Sequence, residues 1–470
     1  MNYRGISFYL SLFCFPVSIL AFINILYSSY FDFYLSIESY LITLIFSFIL
    51  GSGLIYYGKN ADKKIDFIDQ LILIVSVYLV IGFLISIPFY KSNLQISIVN
   101  AFFESISGLT STGFSTFSNI KYLDPTLILW RSSSQWIGGL FFIIFLILLF
   151  SNKTFNYKMT NLTFVGDSSF KSEENIKNNI LRIFILYSVL SFIVLVLLKI
   201  SGIRLFNSLN LAMTLISNGG FLPLDNLNDI ISTNFQKFIL ILVLMLSMLN
   251  FYFLFNIFNK NTIFKEHNED IYLLGFALIF ILLIYFNNFD ILNLIISVLS
   301  SLANSGLSPI KSDNNLGLYF LFLTIIGGSL ISNSSGVKLS RFYILIKIAS
   351  AEIIKLISPN SVINKTIFNS KNKITDENIK ISFLIFISFF ISLFILSSFL
   401  AFDNIGFEKS FKLAILTLTN TVNSDMYNLQ NLNFSNLLTS SKICLIIFMI
   451  IGKIELISLF LIFKKFFLKD

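Results

Sequence analysis

The chain has 470 residues, of which 56% are hydrophobic and only 12% charged, with a mean hydropathy of +0.83. That balance excludes a string of soluble domains and predicts an all-α polytopic membrane protein, because apolar runs of about 20 residues recur along the sequence. The net charge of +8 does not imply nucleic acid as a partner, since lysine and arginine collect in the loops at one end of the apolar runs.

In chain order, residues 1–30 hold the first apolar run, which begins just after Arg4. It lacks a small-residue cleavage site, so it reads as a retained helix and not as a signal peptide. A second helix covers about residues 41–57, and the loop after it carries Lys59, Lys63 and Lys64, which places that loop in the cytoplasm. The stretch from Gly53 to Gly58-Lys59-Asn60 imitates a phosphate-binding loop. It fails as one, because Asn60 stands where Ser or Thr is needed and the segment ends a membrane helix instead of following a strand. These two helices make an N-terminal addition, residues 1–66.

Four units then follow, at 67–151, 178–260, 270–350 and 379–470, each reading helix, re-entrant half-helix, small polar loop, helix. The expected helices of unit one are 71–90, 96–107 and 126–150; of unit two, 180–200, 205–216 and 238–258. Those of unit three are 272–286, 291–302 and 316–348; those of unit four, 381–400, 407–418 and 437–467. The sum is ten spans and four half-helices in four pseudo-symmetric helix–pore-loop–helix units. The repeat is diverged and unevenly spaced, with Gly113, Gly220, Gly306 and Val422 as its anchors.

The loops are Ser111-Thr112-Gly113, Asn218-Gly219-Gly220, Asn304-Ser305-Gly306 and Asn420-Thr421-Val422. Non-helical backbone at membrane depth is tolerated only where it is buried in protein or lines a water-filled path. One such loop is more often a packing interruption than a site. Four at one place in four units instead suggest an ion filter that replaces hydration water with backbone and side-chain oxygens. A half-helix whose C-terminal end faces that filter presents partial negative charge, which favours a cation.

Basic residues follow the topology. Lys153, Lys158, Lys171 and Lys177 come after unit one, and Lys260 and Lys265 after unit two. Lys355, Lys365, Lys371 and Lys373 follow unit three, and Lys464, Lys465 and Lys469 end the chain. The loop side is poorer, with Lys91, Lys121 and Lys311. Both termini are therefore expected in the cytoplasm, with the filter opening outward.

Several residues carry two readings. Lys453, inside the last apolar run, either faces the pathway or snorkels and pairs with Glu455. Gly327-Gly328 to Ser334-Ser335-Gly336, inside the second helix of unit three, is either a movable gate or a static helix break. Glu104 is either a charge near the mouth or a buried hydrogen-bonded carboxyl, and Trp130, Arg131, Gln135 and Trp136 read as an interfacial belt. Cys14 and Cys444 are far apart and imply no disulfide or metal set, His267 sits in a polar loop, and no nucleophile–base set suggests an enzyme.

Trp130-Arg131-Ser132-Ser133-Ser134-Gln135-Trp136-Ile137-Gly138-Gly139 resembles the signature after the first pore loop of the Trk/Ktr/HKT cation transporters. Gly452-Lys453-Ile454-Glu455 resembles the Gly-Arg-Leu-Glu signature of their last helix, and Asn250-Phe251 their second-unit Asn-Phe. The 327–338 stretch with Arg341 resembles their third-unit Gly/Ser segment, and the two added N-terminal helices are similar to the TrkH branch. The resemblance implies potassium uptake in a bacterial cytoplasmic membrane, with potassium at the filter residues as substrate and no cofactor in this chain. It also implies a homodimer in lipid on a cytoplasmic TrkA-like ring of nucleotide-binding subunits, the 327–336 segment as gate, and Lys453 in place of a pore-facing arginine. Val422 stands where the family has its fourth filter glycine, which predicts weaker preference for potassium over sodium. A non-transporting membrane sensor or scaffold on the same fold is the reading from another class.

Overall fold

The computed structural model describes residues 2–61, 65–92, 94, 96–151, 176–251, 253–254, 268–285, 290–310, 316–361, 364–368, 373–403, 405–429 and 432–454. Lys63, Lys64, Lys153, Lys158, Lys171, Lys260, Lys265, His267, Lys311, Lys371, Glu455 and the last run beyond Ile454 lie outside the described residues.

Helices dominate because a backbone in lipid must satisfy its own hydrogen bonds. In chain order they are α1 Tyr3–Tyr30, α2 Tyr34–Gly58, α3 Phe67–Tyr90, α4 Ile98–Leu109, α5 Pro125–Ser151, α6 Ile176–Ile200, α7 Leu205–Ile216 and α8 Asn234–Met248. Then come α9 Asn268–Tyr285, α10 Ile291–Ala303, α11 Gly317–Ile326, α12 Leu339–Ile357, α13 Asp376–Ala401, α14 Phe407–Leu418 and α15 Thr439–Ile454. Among the described residues, 7 helices are long and apolar enough to cross a membrane. They carry a sheath of exposed apolar side chains, including Phe22, Phe46, Phe192, Leu282 and Phe394, as a surface in contact with lipid requires.

Local signals set several ends. Ser97 caps α4 by accepting the Asn100 amide at 3.3 Å, and Thr233 with Gln236 forms a capping box on α8. Asn2 caps α1 through the Gly5 amide while its own amide donates to Asp69 at 3.0 Å, which ties the start of the chain to α3.

The architecture is a ring. α1 and α2 form a hairpin packed on α3, with α1 also on α5. The four half-helices α4, α7, α10 and α14 are each gripped by the second long helix of the preceding unit: α5 packs on α7, α8 on α10, α11 on α14, and α15 on α4. The last of these contacts closes the circle, so the four loops at the half-helix ends converge. The half-helices bury Phe103, Leu211, Leu299 and Leu416 in one continuous apolar core.

The second helix of unit two departs from the expected 238–258 span: α8 stops at Met248 and Leu249 is extended. The Met248 carbonyl instead accepts the Ser329 amide at 3.1 Å, and the Phe251 amide donates to Ile331 at 2.8 Å. A partner segment thus takes over bonds that would have continued the helix. The second helix of unit three is two helices, α11 and α12, separated by residues 327–338.

Gly138 in α5 and Gly452 in α15 hold matching positions. A Cβ at either would collide with the last helical carbonyl of its unit's half-helix, that of Leu109 or Leu418. Gly138→Ala is therefore expected to cost about 1–3 kcal/mol through overpacking against backbone that cannot yield. Gly53, which has nothing within 4 Å of its missing Cβ, should tolerate alanine. Thermal unfolding in detergent separates the two: equal melting temperatures would refute the close-contact account.

Candidate functional site

The four half-helices end in one pattern. The residue after the last turn sits in the left-handed region: Ser111 at φ 60°, Asn218 at 54°, Asn304 at 60° and Asn420 at 49°. The next amide, of Thr112, Gly219, Ser305 or Thr421, returns to the carbonyl five residues back, that of Ser107, Thr214, Ser300 or Leu416, at 2.9, 2.8, 3.1 and 2.9 Å. This is a Schellman-type closure, and Asn is among the few non-glycine residues suited to its left-handed position. Two hydroxyls lock the following turn: Ser107 donates to the Phe114 carbonyl at 2.7 Å, and Thr214 to the Phe221 carbonyl at 2.8 Å. Leu416 has no hydroxyl for this, so the fourth loop lacks that tie.

The asparagine amides act as bolts. Nδ2 of Asn218 donates to Ser247, of Asn304 to Thr324 and of Asn420 to Met449, at 3.1, 2.8 and 2.9 Å. Each bond pins a loop to the second long helix of its own unit. Neighbouring loops are also stitched together. Asn420 reaches the Thr112 hydroxyl at 3.0 Å and Asn304 the Thr421 hydroxyl at 3.3 Å, and from helix α5 Gln135 Oε1 accepts the Phe221 amide of the second loop at 3.2 Å.

Gly113, Gly220, Gly306 and Val422 come together on a cavity of about 520 Å³. Gly113 has φ +82° and a Cβ there would lie 2.7 Å from Gly220 Cα; Gly306 has φ +68° with Val422 Cγ1 at 2.9 Å from the same point. Only glycine fits such crowded left-handed positions. The Val422 side chain lies against Gly220 across the ring, within contact distance of where a Cβ would sit. Asn420 Oδ1 accepts the Ser335 hydroxyl at 3.0 Å and Thr421 Oγ1 is engaged by Thr419 and Asn304. Both side chains are therefore already bonded to protein beside the missing glycine.

Beside the cavity lies a buried ion pair that periodicity did not reveal. Arg131 Nε is 2.9 Å from Glu104 Oε1, with the two side chains 1% and 0% exposed. Glu104 is therefore the buried, hydrogen-bonded carboxyl and not a free charge at the mouth. The interfacial-belt reading of its neighbours also fails: Trp130, Arg131 and Gln135 are fully buried. Trp130 donates to the Ile85 carbonyl at 3.0 Å, and Trp136, partly buried, donates to Ser191 at 2.9 Å. Their polar atoms meet protein partners within the helix bundle, which composition alone cannot distinguish from headgroups.

Residues 327–338 lie directly against the inner side of the loops. Asn333 donates to Ile216, the last residue of α7, at 2.8 Å, and Ser335 to Asn420. Ser334 Oγ accepts the Gly328 amide at 3.0 Å. Gly327 and Gly336 turn the segment with φ 70° and 84°. Lys338, the last residue of that segment, is buried and donates to Ser329 O at 3.2 Å, to Ser334 Oγ at 2.9 Å and to the Ser334 carbonyl. Lys453 is 2% exposed. Its Nζ donates to Asn333 O at 3.0 Å and lies 4.6 Å from the centroid of Phe142. Two adjacent acids at the start of α9, also missed in the sequence, hold the other side: Glu269 accepts the Leu330 amide and Asp270 the Asn250 amide, both at 3.0 Å. No cluster of His, Cys, Asp and Glu suited to a metal occurs among the described residues.

Comparison with known proteins agrees with this arrangement. Residues 36–312 match the family model TrkH, described as a cation transport protein. An uncharacterized cation transporter of Methanocaldococcus jannaschii is 26% identical over 438 residues, 89% of this chain and 86% of that protein. The Trk system potassium uptake protein TrkG of Escherichia coli is 24% identical, covering 92% of each. The crystal structure of the potassium transporter TrkH from Vibrio parahaemolyticus superposes with a TM-score of 0.85 over 98% of both chains at 20% identity. With more than half of its length matched by the family model, the chain belongs to the TrkH family of cation transport proteins.

Proposed function

We propose that this protein takes up potassium ions across the cytoplasmic membrane through a path lined by the four loops, with units at 67–151, 178–260, 270–350 and 379–470. The observation that carries this reading is the identical termination of four half-helices around one cavity. Four C-terminal dipole ends then face a common point, and the carbonyls nearest it favour a cation. Potassium is the substrate, and the chain needs no cofactor of its own. The relatives named as Trk potassium uptake proteins support the choice of ion.

The cavity side is outward in this reading. The opposite side carries Lys59, Lys355, Lys365 and Lys373, in keeping with a cytoplasmic face and both termini there. The segment 327–336 is the gate, with Lys453 its anchor, and a homodimer on a TrkA-like nucleotide-binding ring is the assembly. Purified protein in liposomes should load potassium down its gradient. Absence of flux from correctly inserted protein overturns the transport reading in favour of a sensor or scaffold.

A second reading, relaxed selectivity, rests on Val422. The branched side chain fills space against Gly220, and the neighbouring polar side chains are engaged elsewhere. A tenfold preference corresponds to only about 1.4 kcal/mol, so one altered quadrant suffices to weaken discrimination. Val422→Gly is expected to raise the potassium-to-sodium permeability ratio about tenfold by that conversion. An unchanged ratio means that Val422 does not limit selectivity.

A further inference from the structure

We propose that Glu104 and Arg131 are positioning residues that set the ion preference of the pathway by fixing the spacing between the first and second loops. The proposal rests on the transport reading above. Glu104 takes hold of the chain just beyond Gly113: its Oε2 accepts the Thr116 amide at 2.7 Å and the Thr116 hydroxyl at 3.1 Å, and its Oε1 accepts the Ser115 hydroxyl at 3.1 Å. Arg131 adds Nε to Glu104 at 2.9 Å and Nη2 to Ser115 at 3.1 Å.

The face of the same guanidinium lies 4.1 Å from the centroid of Phe221, the residue directly after Gly220. One turn along α5, Gln135 holds the Phe221 amide. Residues four apart lie on one face of a helix, so a single face of α5 grips both loops. Arginine is suited to this, because its rigid fork bonds in its plane while its face stacks on an aromatic ring.

The pair cannot act as a charge that attracts cations. It is neutral overall, wholly buried, and both carboxylate oxygens are occupied. What remains is geometry, and discrimination between cations of equal charge depends on how a filter places its oxygens.

The four quadrants differ at this clamp. The position nine residues before each anchor is Glu104, Leu211, Ser297 and Leu413, and the position two after it is Ser115, Leu222, Ser308 and Ser424. Quadrant three repeats the clamp without charge, since the Ser297 and Ser308 hydroxyls are 2.5 Å apart. Quadrants two and four have a buried leucine in that place. Polar clamps between half-helix and loop therefore occupy the two quadrants of one diagonal, while on the other diagonal Val422 lies against Gly220.

The test is the potassium-to-sodium permeability ratio in liposomes, read separately from total flux. Ser115→Ala, which removes one hydroxyl and leaves the ion pair, and Glu104→Gln should each lower the ratio several-fold to about tenfold. Ser297→Ala should lower it as well. Arg131→Lys, which keeps the charge without the fork and the stacking face, should fail to restore the wild-type ratio. Should Glu104→Gln not reach the membrane, the neutral pair Glu104→Gln/Arg131→Gln is read alongside Ser115→Ala. A ratio equal to wild type in Ser115→Ala and in the inserted Glu104 variant, with flux falling only in step with protein amount, overturns the proposal. No cation flux through the wild type overturns the transport reading instead.

Discussion

Gly113→Arg is expected to reduce cation flux to the level of empty liposomes. Two effects act together at this position. The backbone is held at φ +82°, and any Cβ would lie 2.7 Å from Gly220 Cα, so the first and second loops must separate. The added guanidinium then stands beside the path. A unit charge 4 Å from a passing cation repels it by about 4 kcal/mol at an effective dielectric of 20, which alone is nearly a thousandfold. Gly275→Ala, at a helical site with nothing within 4 Å, serves as the control that keeps its flux. Wild-type flux in inserted Gly113→Arg would place the path elsewhere in the molecule.

The second large effect is expected in the opposite direction. Lys453→Met should raise flux about tenfold or more, because Lys453 both anchors the 327–338 segment and places a positive charge under the loops. Its Nζ bond to the Asn333 carbonyl is charge-assisted and buried, a class worth about 1.5–3 kcal/mol. Asn333 in turn holds the end of α7, so loss of the anchor frees the segment from α15 and loosens its hold below the second loop. Methionine retains most of the side-chain volume against Phe142, which separates loss of charge from loss of packing. Lys453→Arg should stay near wild type. Equal flux in the methionine variant and the wild type would show that neither anchor nor charge limits passage.

These experiments bear on parts of the protein that were legible to different degrees. The fold class follows from the sequence because lipid leaves few choices. Long apolar runs must be helices, and the short runs that end in Gly, Ser, Thr and Asn stop where the Schellman closure needs a left-handed residue. Leu205–Ile216 and Phe407–Leu418 have the bounds expected from the apolar pattern alone. Gly113 and Gly306 stand out in the sequence for the same reason: glycine at a crowded, left-handed turn has few substitutes.

Other features depend on neighbours far away in sequence. α8 ends at Met248 because Ser329 and Asp270 take its next backbone bonds, and nothing local at Leu249 announces this. Arg131 and Gln135 look like interfacial residues until α5 turns their face toward two loops. Glu269 and Asp270 find their partners only when residues 327–338 and Asn250 come against the start of α9. Sequence determines which residues avoid water and which turns they permit. Only the closed ring decides where a buried charge finds its partner, because the low dielectric of the interior makes that partner obligatory and tertiary contact alone supplies it.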